Sequence, residues 1–460
     1  MFLLWKGEVA NRWDVFFNWA LKNTNLNFKY PTETLESFTK SFSGGTPSKE
    51  VPEYWDGDIL WASPKDMKHF HLTNTEDRIT EQAVLVSSTK MVEKDTILIV
   101  VRSGILIHTL PVCMAKEKMA INQDLKAYTT KDHVLPEYLA VFLKIFEKKL
   151  LPLIVKHSTT VQSINTEQFD KLPIPIPPKD IQIQIIQKYS DAIKQRNEAV
   201  YEVQSLRASI DTYLLDALGI QLPPTPSVNL SERVFLARLG EIDGNRFDPF
   251  FHQEYYKKLD DNIENGHFKV EELGKFLCSI QYGASISNSY VEKGIPFLRI
   301  KDLQRNDISI DEVVYLDETV RDAIGSGFVY EDDFLISRSG TIGIVARVPK
   351  ALNGFAFGSF MIKFRLSEEA RGVLDEDYLG YFLNCGIVEK ILLRQKIGAI
   401  QGNITIPTIR SILIPLPPLS IQQTISAHIG KIRREAGRLD AESAAAVDIA
   451  KAAIEALLLA

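Results

Sequence analysis

Pro175-Ile176-Pro177-Pro178-Lys179-Asp180-Ile181-Gln182 is a proline run that opens directly onto a long apolar-periodic stretch, and the chain contains it twice. Pro415-Leu416-Pro417-Pro418-Leu419-Ser420-Ile421-Gln422 keeps the same three prolines in the same spacing, displaced by 240 positions. Proline fixes φ and disfavours helix in the residue before it, so each run predicts an extended rod that ends where a helix begins. Asp180 and Ser420 stand where an N-cap is wanted, and Gln423 three residues after Ser420 suggests a capping box.

The stretches after both runs carry a three-and-four apolar register suited to meeting another helix. In the first it runs through Ile186, Tyr189, Ile193, Val200, Val203, Ile210, Leu214 and Ala217, interrupted by Arg196 and Arg207. The second runs through Ile425, Ile429, Ile432, Ala436, Leu439, Ala446, Ala450, Ala453 and Leu457, with Ser443 its one polar member. At the rise of an α-helix each would be about 55–60 Å long. Two amphipathic helices packed separately on their own domains would give the same periodicity; matched length and matched entry motifs favour pairing with each other. Glu435 and Asp440 are candidate partners for the two arginines.

Working outward, the whole chain reads as one unit duplicated. Gly7-Glu8-Val9 and Asn11-Arg12-Trp13-Asp14-Val15-Phe16-Phe17 answer to Gly240-Glu241-Ile242 and Asn245-Arg246-Phe247-Asp248-Pro249-Phe250-Phe251. Lys65-Asp66-Met67 matches Lys301-Asp302-Leu303, and Arg102-Ser103-Gly104 matches Arg338-Ser339-Gly340, both offset by 236. Tyr138 and Tyr378, Phe142 and Phe382, and Ile164 and Ile404 correspond at 240. Thr96 to Val101 and Phe334 to Ser337 read as buried strands, Leu135 to Lys149 and Asp375 to Lys396 as helical. The expected fold class is therefore α+β. Gly219 and the prolines at 223, 224 and 226 stop the first helix and begin a linker.

Composition bounds the function. At 460 residues, 45% apolar and 24% charged, the chain has the make-up of a soluble protein of two or three domains. No uninterrupted apolar run approaches the roughly 18 residues of a membrane span, and Met-Phe-Leu-Leu-Trp at the start is too short for a signal peptide, so a cytoplasmic protein is expected. Cys113, Cys278 and Cys385 are too scattered for a disulfide framework or a zinc site. The net charge of −6 weighs against an autonomous DNA binder, and neither half is basic: residues 1–232 hold 26 basic and 28 acidic groups, residues 233–460 hold 27 and 31.

Catalytic patterns are scarce. Gly44-Gly45-Thr46-Pro47-Ser48-Lys49 has the ingredients of a phosphate loop without its spacing. Asp248-Pro249-Phe250-Phe251 resembles an adenine-methyltransferase site only superficially; no glycine-rich strand-turn-helix accompanies it, and a packing role fits better. His69 and His71 lack a third metal ligand nearby, and Glu331-Asp332-Asp333 suits an exposed turn. A binding surface is the stronger reading. Its candidates are Lys65, Lys68, Arg102 and Ser103 in the first copy and Arg299, Lys301, Arg305, Arg338, Ser339 and Thr341 in the second. Arginine can grip guanine edges bidentately and Lys, Ser and Thr reach phosphates, although charged turns are more often simply solvated.

Duplicated domains, each closing with a Pro-x-Pro-Pro-x-x-x-Gln run into a long helix, with Asp333-Phe334-Leu335-Ile336-Ser337-Arg338-Ser339-Gly340 inside, resemble the DNA specificity (S) subunit of type I restriction-modification systems over essentially the whole chain. The resemblance implies target recognition domains at 1–178 and 233–418, spacer helices at 179–218 and 419–460, and a linker at 219–232. The helices would pair as an antiparallel coiled coil, giving a pseudo-two-fold internal duplication. Each domain would read one half of a bipartite site in double-stranded DNA, the helices fixing the gap. The subunit would be non-catalytic, bind two methyltransferase (M) subunits, which Arg196 and Arg207 could face instead of pairing across the seam, and reach restriction (R) subunits through that core. It would carry no cofactor, with S-adenosylmethionine, ATP and Mg on the partners, and touch no membrane. Two other readings compete: a protein-interaction scaffold with two duplicated partner-binding domains, and a fragment of a larger restriction enzyme.

Overall fold

The computed structural model describes residues 26–156, 161–224, 251–286, 290–395 and 402–460. The opening motifs around Arg12 and Arg246, Asp248 to Phe250 and the linker beyond residue 224 lie outside these. The chain divides into two compact units, residues 1–200 with 440–460, and residues 201–439. Each proline run leads into one continuous 40-residue helix, Lys179–Leu218 and Leu419–Leu458.

Unit 1 is built on a five-stranded sheet in the order Thr39–Ser43, Leu125–Thr130, Ile97–Val100, Val112–Ala115, His71–Leu72, antiparallel except for the last pair. A four-stranded sheet accompanies it, with Ile59–Ala62 parallel to Met119–Ile121. Unit 2 repeats the plan. Leu277–Tyr282, Met361–Leu366, Phe334–Ser337 and Val345–Arg347 form an antiparallel sheet, and Ile295–Leu298 runs parallel to Ala356–Phe357 in a second one. The α+β class is as expected. The helical stretches are each two helices: Pro136–Ile145 and Glu147–Ile154, then Glu376–Leu383 and Gly386–Gln395. Tyr138, Phe142 and Ile164 are buried in the main core of unit 1 as Tyr378, Phe382 and Ile404 are in that of unit 2.

The proline junctions work differently from a capped helix. Pro178 and Pro418 supply the first accepting carbonyls, to the backbone N–H of Gln182 (3.0 Å) and Gln422 (3.1 Å). Asp180 and Ser420 therefore lie inside the first turn, not at the cap. The polar residue that matters is the glutamine at the end of each motif, fully buried in both copies. Gln182 accepts from Leu135 N (2.8 Å) and donates both amide hydrogens, to His133 O (3.0 Å) and Pro177 O (2.9 Å). Gln422 repeats this with Asp375 N (2.8 Å), Val373 O (2.9 Å) and Pro417 O (2.8 Å). Proline keeps its carbonyl although it has no N–H, and a buried carbonyl needs a donor. Tyr138 meets Pro175 O at 2.7 Å and Tyr378 meets Pro415 O at 2.8 Å. Burial pushes both phenols up, so they stay protonated donors. The extended residues just before, Pro173–Pro175 and Leu413–Pro415, pair antiparallel with Thr32–Thr34 and Val270–Glu272. Each long helix thus leaves its domain from a fixed point and in a fixed direction.

Each unit also holds the other repeat's helix. In unit 1, Ile185 and Tyr189 share the main core with Ile454 and Leu458, and Arg196 bonds Asp440 Oδ1 (2.7 Å) and Ser443 Oγ (2.8 Å). In unit 2, Leu214 and Leu218 share the core with Ile425 and Ile429, and Tyr213 lies against His428 with ring centroids 4.0 Å apart. Within unit 1 the two stretches run antiparallel, since residues nearer the start of one helix share the core with residues nearer the end of the other. Of the two seam arginines, Arg196 takes Asp440, while Arg207 is exposed and Glu435 pairs with Arg438. The first helix ends in a Schellman motif: Ile220 N bonds Leu215 O (2.9 Å), Gly219 N bonds Asp216 O (3.1 Å), and Gly219 has φ +67°.

Removing the amide strands a buried N–H and two buried carbonyls, so Gln182→Ala and Gln422→Ala should each cost about 2–4 kcal/mol. In a unit of this size that is a fall of roughly 5–15 °C in the unfolding midpoint. Exposed Gln184→Ala and Gln423→Ala should leave calorimetric traces unchanged. Equal effects of Gln422→Ala and Gln423→Ala would restore the capping box and refute the clamp.

Candidate nucleic-acid interface

The sheet registers decide which residues of the two copies are equivalent. Ile97 pairs with Tyr128 and lies in the main core, as Phe334 pairs with Phe364 and lies in its own. Beyond the strand, Ile164 N bonds Val101 O (2.8 Å) and Ile404 N bonds Arg338 O (3.0 Å); Arg102 bridges Ser163 as Ser339 bridges Asn403. The strands therefore match at an offset of 237, and Val101 is the counterpart of Arg338. The repeated Arg-Ser-Gly is out of step by one residue, which in extended chain turns a side chain to the opposite face. The segments past these residues differ too. Gly104–Ile107 is a short 3-10 turn, whereas Gly340 (φ +70°) and Gly343 (φ +86°) shape an open loop.

The Lys-Asp pairs are true equivalents. Asp66 and Asp302, both buried, accept from the backbone N–H of Ser63 (2.9 Å) and Arg299 (2.8 Å) and so close matched 3-10 turns. Most candidate cations around them are occupied. Lys65 pairs with Asp77 (2.8 Å) and Glu76, whose carboxyl is held low by Lys68 and Lys65. Lys68 reaches Glu76 at 3.1 Å. Arg299 grips Asp302 at 3.2 Å and the Glu312 carbonyl, and Lys301 pairs with the Glu312 carboxylate. Arg305 bonds Asn384 O and Glu389 Oε2, both at 2.6 Å. Ser103 is half-buried and its hydroxyl accepts from Ile105 N, Ser339 is 1% exposed, and Thr341 is exposed. Arg102 and Arg338 are the two candidate cations with no carboxylate partner among the described residues.

Several features were missed from sequence. Asp333 is not in an exposed turn: it is 1% exposed and bonded by Arg365 (2.7 Å), with Lys363 at 3.4 Å. His71 pairs with Glu137 at 3.3 Å, and no cluster of three metal-ligating side chains occurs among the described residues. Tyr282 lies under the Arg338 guanidinium, 4.6 Å from ring centroid to Cζ. Each unit also carries a cleft beside its long helices at matched positions. That of unit 1, about 600 Å³, is lined by Lys68, His71, Ser190 and Lys194; that of unit 2, about 710 Å³, by Gln304, Asp307, Gly430 and Arg434. No described helix is long and apolar enough to cross a membrane.

The model of the type I restriction modification DNA specificity domain matches residues 29–202 and again 264–439. Each match takes in one clamped domain and the beginning of its helix. The chain belongs to this family. The specificity subunit of the Escherichia coli type I restriction enzyme EcoR124I/EcoR124II is 35% identical over 190 residues, 40% of this chain and 47% of that protein. The alignment with that relative thus spans about half its length. The MjaIX specificity subunit of Methanocaldococcus jannaschii is 25% identical over 433 residues, 90% of this chain and 89% of that one. A solved chain from a study of complex assembly and conformational transition in a type I R-M system shares the fold, with TM-score 0.51, 14% identity and coverage of 95% of this chain and 97% of that one.

Nucleophilic thiol chemistry is disfavoured at Cys113 and Cys385, since burial pushes both up to about 12. Only Cys278 is exposed. A thiol-reactive chromogen should titrate one cysteine in the native protein and three in denaturant; two or more fast-reacting native thiols would contradict these burials.

Proposed function

We propose that this chain is the non-catalytic DNA-recognition subunit of a type I restriction-modification complex, with each unit reading one half of a bipartite target. The observation that carries the reading is the duplication itself: two family domains, each clamped by the same buried glutamine to a 40-residue helix. A helix of that length is about 60 Å long and exceeds the roughly 34–36 Å of one B-DNA turn, so the helices can set the separation of half-sites. Matched clefts beside the helices suit two copies of one partner, and we assign them to two methyltransferase subunits. These subunits would hold S-adenosylmethionine, and the restriction subunits that join them ATP and Mg. A chain of net charge −6, whose candidate cations are mostly paired with its own carboxylates, needs such partners to supply part of the phosphate contact.

Mapping methylated adenines in the genome of a host expressing the complex tests this. Two short specified sequences separated by a gap of constant length and free sequence are expected. A single contiguous motif, or methylation indifferent to deletion of this chain, would overturn the reading.

A further inference from the structure

We propose that Arg338, seated on Tyr282, is a base-reading contact of unit 2 and takes the O6/N7 edge of a guanine in the major groove; this deepens the DNA-recognition reading and rests on it. An arginine whose outer donors are unclaimed and whose plane is held in one orientation is suited to reading a base edge, and Arg338 meets both conditions. Lys65, Lys68, Arg299, Lys301 and Arg305 are all bonded to carboxylates of this chain. Among the described residues no acid pairs with Arg338 and no hydrogen bond reaches its Nη nitrogens; its Nε is buried without a partner, while the residue as a whole is half-buried. Its charge is thus partly desolvated before any ligand arrives, and the outer edge remains to be satisfied.

The orientation is fixed from three directions. The Tyr282 ring lies 4.6 Å from Cζ. The Arg338 backbone is tied on both sides, N–H to Phe360 O (2.9 Å) and carbonyl to Ile404 N (3.0 Å). Just before it, the fully buried Ser337 donates to Thr341 O (2.6 Å) and accepts from Ile344 N (2.8 Å), closing the loop that Gly340 and Gly343 turn with positive φ. A guanidinium held by stacking presents its donors in one plane, the geometry that guanine's two major-groove acceptors require. The surroundings suit a base better than a phosphate: Tyr282 is 41% and Phe360 50% exposed, offering aromatic surface where a phosphate site would gather further cations.

Unit 1 has no counterpart, because Val101 occupies the equivalent position and Arg102 the next. The contact therefore belongs to one half-site only. That asymmetry separates it from any general loss of DNA binding.

The test uses the methylase complex reconstituted from this chain and its methyltransferase subunits. The probes are synthetic duplexes carrying the sequence the wild-type complex methylates, with each specified base pair replaced in turn and binding measured at two salt concentrations. The wild type should lose about ten- to a hundredfold in affinity when one particular G·C pair of one half-site is replaced. Arg338→Ala should bind the unaltered duplex weaker by a similar factor and no longer distinguish that position, keeping discrimination everywhere else. Arg338→Lys, which retains charge without the fork, should also lose it; Tyr282→Phe should keep it and Tyr282→Leu weaken it. Discrimination at every position by Arg338→Ala, or uniform weakening of all duplexes with a shallower salt dependence, would overturn the proposal, the latter marking a phosphate contact. A wild-type complex that prefers no sequence would instead bring down the broader DNA reading together with this one.

Discussion

A buried proline carbonyl with no neighbouring N–H to satisfy it is the constraint on which this architecture depends. Proline gives the exit from each domain its stiffness and removes a donor at the same stroke, leaving carbonyls at Pro175, Pro177, Pro415 and Pro417 inside the protein. Tyr138, Gln182, Tyr378 and Gln422 answer them. The glutamines do more, since each also holds the backbone just ahead of the helix packed beside the junction, Leu135 N in one unit and Asp375 N in the other. The amide thus ties the proline run and the start of its helix to a stretch 47 to 49 positions earlier in the chain, and the long helix inherits its direction from the domain core.

Because the same clamp serves both copies, the segments between can diverge while the frame is kept. The 3-10 turns closed by Asp66 and Asp302, the parallel pairing of the second sheets and the matched clefts belong to the frame. The loops past Val100 and Ser337 do not: one is a tight turn with Ile105 and Ile107 exposed, the other a glycine-shaped loop behind an arginine on a tyrosine. If each unit reads its own half-site, as proposed, this division gives a shared support to two dissimilar surfaces.

The duplication, the strands, the position of both long helices and the domain class were legible in the sequence, because each is written in local spacing. Two inferences failed for reasons local spacing cannot convey. Asp180 and Ser420 have the chemistry of caps, yet the prolines before them already provide the first carbonyl, and the motif's glutamine looks beyond its own helix. Arg102-Ser103-Gly104 and Arg338-Ser339-Gly340 share letters, but one residue added between the Lys-Asp turns and these strands shifts the register by one and parts them. The basic candidates were visible as residue types only. Their carboxylate partners, such as Glu312 for Lys301 and Glu389 for Arg305, are brought close by folding, and so is Tyr282, 56 positions before Arg338.

If helices fixed at their origins set the separation of the two readers, their length must be written in the target. The direct measurement is the gap between half-sites methylated by a chain carrying one extra heptad in each long helix, inserted at facing positions. Seven residues add about 10 Å, so the gap should widen by about three base pairs while both half-site sequences stay as they were. A methylated sequence with an unchanged gap would contradict the account.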